Sequence, residues 1–172
     1  MLFNKDKSKE QLLKLQLPHT AVNCLYTLTK TRIGQIRSSI ASYTTRMTAL
    51  EPTSYDLEGI LRELHLLQKQ MERVEHLTEY LSEIIMPQEG TVTSLMDYRI
   101  IEISPEDADI YIPLISRELD MIEQSMKNAS EEYKSLTENE FKEQMSHYKS
   151  AMTRRDELSL LKEYLMFYRY KI

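Results

Sequence analysis

The sequence predicts an all-α protein, an antiparallel four-helix bundle with long helices over about 20–50, 54–86, 105–136 and 138–170. Two observations carry this. Gly 3 and Pro 5 in 172 residues leave room for few turns, so the elements between them must be long. Apolar side chains also recur at spacings of three and four along most of the chain, which is the period of one helical face. With 41% hydrophobic and 28% charged residues, the chain is long enough to bury a single core.

Residues 1–18 read as an amino-terminal arm and 19–172 as one helical domain. The arm is charged, then leucine-rich at Leu12, Leu13, Leu15 and Leu17, and ends at Pro18; it reads as a short helix or an arm. Thr20 is placed to cap the first helix. The stripe of that helix is Tyr26, Thr29, Ile33, Ile36, Ile40, Tyr43, Met47 and Leu50. Gly34 lies off the stripe and costs roughly 1 kcal/mol against Ala in a helix interior.

Pro52 breaks the chain, and Thr53 or Ser54 can cap a second helix. Its stripe is Leu57, Ile60, Leu64, Leu67, Met71, Val74, Thr78, Leu81 and Ile85, before Pro87 and Gly90. A connection this short makes the two helices an antiparallel hairpin. A turn at Pro52 and Thr53 sets Thr29 beside Thr78, Arg46 beside Glu63 and Lys30 beside Glu75. Arg32 and Arg37 meet no carboxylate on helix two in that register, so they are expected to find acids on helices three and four.

Residues 87–104 form the one long connection, with Val92, Leu95, Ile100, Ile101 and Ile103 but no helical period. It either crosses the bundle end or makes a short extended segment. Ser104-Pro105-Glu106-Asp107 combines a capping hydroxyl, proline at the first helical position and acids in the first turn. Helix three starts there, and Pro113 should kink or restart it. Its stripe runs Ile112, Ile115, Leu119, Ile122, Met126, Ala129, Tyr133, Leu136. Thr137 with Glu140 fits a capping box, which places the break before helix four. The stripe of helix four, Phe141, Met145, Tyr148, Met152, slips at Arg154-Arg155-Asp156-Glu157 and resumes as Leu158, Leu161, Leu165, Tyr168. A break at 156 is the alternative, giving a helical hairpin plus one very long helix.

Chemistry-bearing motifs are scarce. Gly34, Gly59 and Gly90 stand too far apart for a phosphate-binding loop. A bundle di-metal site needs a Glu three residues before a His; Arg62, Arg73 and Gln144 precede His65, His76 and His147 instead. Glu143 and His147 share a helical face but read as a solvated pair, and His65 and His76 as outward surface. No catalytic residue, metal or cofactor is expected, and an enzyme ranks third among the functions. Cys24 is the single cysteine, which excludes an intrachain disulfide and points to a reducing, cytoplasmic setting. No apolar run reaches the roughly 18–20 residues that span a bilayer, so no membrane partner is expected.

Charge is unevenly spread. From Gln11 to Leu50 there is no acidic residue, whereas residues from 51 onward hold 14 basic and 25 acidic ones. Lys30, Arg32, Arg37 and Arg46, with Arg154 and Arg155, are therefore candidate contacts for nucleic acid or an acidic partner. The carboxyl-terminal stretch puts apolar or aromatic groups on every side of a helix. Tyr164, Phe167, Tyr168 and Tyr170 are the candidate protein-binding residues. The expected function is that of a non-enzymatic helical interaction protein, a subunit or adaptor, coiled-coil-like and able to self-associate. A nucleic-acid-associated accessory protein is the second reading.

Overall fold

The computed structural model describes residues 12–51, 55–86, 97–132 and 135–171. Their element order is β1 (Leu13–Pro18), α1 (His19–Thr48), α2 (Tyr55–Ile85), β2 (Tyr98–Ile103), α3 (Pro105–Glu132) and α4 (Glu138–Lys171). The all-α class holds, with the four expected helices present. The described residues divide into two compact units, one gathering those up to Ala21 with those from Tyr98 onward, the other those between Val22 and Asp97.

In the second unit α1 and α2 lie side by side along the expected stripes. Thr29 and Ile36 of α1 and Ile60, Val74 and Leu81 of α2 are buried. Among the described residues Thr29 is the one buried polar side chain, and its Oγ1 donates to the Tyr26 carbonyl at 2.8 Å, so that hydroxyl is satisfied. Thr20 does not precede the helix as a cap; it lies in the first turn, since α1 begins at His19 directly after β1. Pro52, Thr53, Ser54, Pro87 and Gly90 lie outside the described residues.

Gly34 is exposed, and a Cβ built there meets no atom within 4 Å. Gly34→Ala is therefore expected to stabilise the chain by about 0.5–1 kcal/mol, by removing backbone freedom from the unfolded state without a clash. A higher urea midpoint is the expected result.

In the first unit, residues 13–18 are not a helix. They form β1, antiparallel to β2, with Leu13 opposite Ile103, Leu15 opposite Ile101 and Leu17 opposite Arg99. Alternation sends Leu13, Leu15, Leu17, Ile101 and Ile103 to the more buried side and Lys14, Gln16, Ile100 and Glu102 to the exposed one. Lys14 and Glu102, directly opposite, close an ion pair of 2.9 Å. The 87–104 connection thus ends in an extended segment.

α3 begins as its sequence indicates. The Ser104 amide donates to Asp107 Oδ2 at 3.0 Å and the Asp107 amide donates back to Ser104 Oγ at 3.1 Å, a reciprocal cap. Pro113 does not restart the helix, which continues from Pro105 to Glu132 and so stops short of the expected 136. Ala108, Tyr111, Ile115, Leu119 and Ile122 are buried along it. The break before α4 falls at Thr137 and not at 156, where the helix is continuous.

At that break the Thr137 amide and hydroxyl both donate to Glu140 Oε2, at 2.9 and 2.6 Å. The hydroxyl first, then the amide, hold the Glu140 carboxyl below its ordinary value. A depressed carboxylate favours the folded state at pH above its unfolded pKa, and the contribution is lost as pH falls through the lowered folded value. The amides of the first turn should therefore lose protection, measured against their intrinsic exchange rates, as the solution is taken below the ordinary carboxylate range. In Glu140→Gln that pH-dependent loss of protection should be absent.

Candidate functional site

The final turns of α4 carry the candidate surface, and the opposite side of the same helix positions it. Leu158, Leu161 and Leu165 are buried, which fixes how the helix is rotated. Two polar contacts anchor its end within the same unit. Tyr168 Oη donates to the Ile103 carbonyl at 3.3 Å, and Arg169 Nε donates to Asp109 Oδ1 at 2.7 Å. The hydrogen bond to Asp109, and then its negative charge, raise the Arg169 pKa above its already high ordinary value, so the guanidinium keeps its charge.

With that face inward, Leu160 (55%), Tyr164 (55%), Phe167 (62%) and Tyr170 (80%) remain exposed. Leu160, Tyr164 and Phe167 follow one another at helical spacings of four and three, so they share a side. Tyr168, which sequence alone groups with the other aromatics, belongs to the inner side: it is half-buried and its hydroxyl is spent on β2. The outward residues of β2, Tyr98 and Ile100, are also exposed apolar groups. Sequence reading missed them as surface, although the alternation Arg99, Ile101, Ile103 against Tyr98, Ile100, Glu102 is the signal that separates the two faces of a strand.

Within each unit the basic candidates are held by different partners. Arg37 Nη2 pairs with Glu75 at 3.3 Å, so Glu75 takes Arg37 and not Lys30. The expectation that Arg37 would reach an acid of helix three or four is thereby corrected, because a long side chain can step along the seam to a carboxylate of the adjacent helix. Arg32 donates to two amide oxygens, Gln35 Oε1 at 3.4 Å and Gln70 Oε1 at 3.2 Å, where acids of helices three and four were expected. Lys30 Nζ sits 5.3 Å from the centre of the Tyr26 ring, and the Arg46 guanidinium 5.6 Å from that of Tyr43. These are cation–π distances. In the other unit Arg154 pairs with Glu118 at 2.6 Å and Arg155 with Asp156 at 2.9 Å.

Glu143 and His147 are both exposed. Among the described residues no three His, Cys, Asp or Glu side chains gather as a metal site, and no helix is long and apolar enough to cross a membrane. Comparison with known proteins leaves the reading to the geometry: no protein family, no curated protein and no solved structure matches this chain.

Proposed function

We propose that this chain is a non-enzymatic helical interaction protein, a cytoplasmic subunit or adaptor that docks a protein partner, or another copy of itself, on the outward side of α4. One observation carries the reading. Leu160, Tyr164, Phe167 and Tyr170 are exposed on a helix whose other side already buries Leu158, Leu161 and Leu165. A helix that contributes leucines to its own core does not need a second apolar side for folding. Large aromatics that stay mostly exposed on such a side are the residues that supply most contact area in protein interfaces.

The test is the double variant Tyr164→Ser, Phe167→Ser, which spares the inner leucines. Purified from the native host, it is expected to keep its helical content and lose the partner or the oligomer that the unaltered chain retains. An unchanged mass in solution with unchanged partners would remove the proposal.

A second reading, contact with nucleic acid through α1, draws on Lys30, Arg32 and Arg46, which are held by rings and amides that leave their charge unneutralised. It requires retention on nucleic acid that falls steeply with salt. Loss of that retention on replacing Lys30, Arg32 and Arg46 by glutamine would locate it on α1.

A further inference from the structure

The pattern on the outward side of α4 is one that fits a second copy of itself. Leu160, Tyr164 and Phe167 follow at spacings of four and three, which is the alternation of a helix-pairing seam. Glu163 and Tyr170 lie two turns apart along one flank of that seam, and both are exposed. Leu158, Leu161 and Leu165 already hold the other side of the helix inward, so the seam can meet a copy without repacking the core.

In an antiparallel pair of helices, each layer joins one seam position to the alternate position of the partner. A two-fold axis at the level of Leu165 and Met166 satisfies this at both of its layers, because Tyr164 of each copy then lies opposite Phe167 of the other. The four rings form one cluster. The same axis brings Glu163 of each copy beside Tyr170 of the other, a phenol O–H facing a carboxylate, so that flank joins a donor to an acceptor twice and sets no two carboxylates together. Such self-complementarity is what a two-fold contact requires.

The area is sufficient for a dimer at the weak end of the specific range. An aromatic side chain carries about 150–250 Å². The exposed parts of Tyr164, Phe167 and Tyr170, with Leu160, therefore offer about 500 Å² on each copy, or about 1,000 Å² across the pair, which is where specific interfaces begin.

We propose that the chain forms a two-fold homodimer through α4, with Tyr164 packed on Phe167 of the second copy and Tyr170 hydrogen-bonded to its Glu163. This rests on the reading of that side as a docking surface and names its occupant.

Sedimentation of the purified full chain at micromolar and higher concentrations tests it. A reversible monomer–dimer equilibrium is the expected result, and Tyr164→Ser with Phe167→Ser should leave a monomer of unchanged helical content. Tyr170→Phe and Glu163→Ala should each weaken the dimer by about fivefold, the worth of two exposed hydrogen bonds. Combined, they should weaken it little more than either alone, because each breaks the same two bonds. A monomer at every concentration, a dimer that survives the loss of Tyr164 and Phe167, an assembly larger than a dimer, or additive losses at 163 and 170 would overturn the proposal. Photo-cross-linking from position 167 in the native host separates the two claims. If the purified chain is monomeric and position 167 captures a different protein, the homodimer falls and the docking side stands; if it is monomeric and captures nothing, both fall.

Discussion

Leu165→Ala is expected to destabilise the protein by about 2–5 kcal/mol, whereas Phe167→Ala, two residues further along the same helix, should stay within about 0.5 kcal/mol. Leu165 is fully buried and Phe167 is mostly exposed. Removing the leucine loses its transfer free energy and leaves a cavity that the surrounding Leu158, Leu161 and Tyr168 side of the helix can only partly close. Removing the phenylalanine ring takes away a side chain that is mostly in water already. The contrast, read from urea unfolding midpoints, asks whether α4 is rotated as described. A large loss for Phe167→Ala with a small one for Leu165→Ala would mean that the inner and outer sides have been exchanged.

The second large effect is expected at the pair that ties α4 to the middle of α3. Glu118 and Arg154 meet at 2.6 Å with side chains 16% and 45% exposed, so the pair is screened less than the surface pair Glu138–Lys142, whose side chains are 84% and 70% exposed. Arg154→Ala leaves the Glu118 carboxylate largely withdrawn from water and without its partner. A cost of about 1–3 kcal/mol is expected, between the values for exposed and for buried pairs. Lys142→Ala should cost no more than about 0.5 kcal/mol. Replacing Glu118 and Arg154 together by Leu and Met should recover much of the loss, because two apolar groups leave no charge stranded. If Arg154→Ala and Lys142→Ala prove equal in chemical unfolding, the pair is not the tie proposed.

Much of this architecture is written locally. The Ser104–Asp107 and Thr137–Glu140 caps involve residues three apart, so their hydrogen bonds follow from short-range geometry, and the helix starts they mark are readable from one stretch of chain. The stripes are equally local, and the residues of α3 and α4 assigned to the inner side by spacing, such as Ile115, Leu119, Leu158 and Leu165, are buried. β1 was not legible for the opposite reason. Leucine favours helices, and what makes Leu13–Pro18 a strand is pairing with Tyr98–Ile103, far along the sequence. The alternation Leu13, Leu15, Leu17 is present, but it is too short to outweigh composition without its partner.

The same division applies to the surfaces. Aromatic residues on every side of the last turns of α4 were visible in the sequence. Assigning Tyr168 to the inside and Phe167 to the outside required the neighbours that receive the Tyr168 hydroxyl and cover Leu165.

The central claim is that the outward side of α4 is where a protein partner sits, and site-specific photo-cross-linking tests it most directly. A photoreactive side chain is placed at Phe167 and, as an exposed apolar control on α2, at Leu66; each variant is then irradiated in the native host. A discrete adduct of higher mass from position 167 and none from position 66 is the predicted result, whereas no adduct from 167, or the same products from both positions, would contradict it.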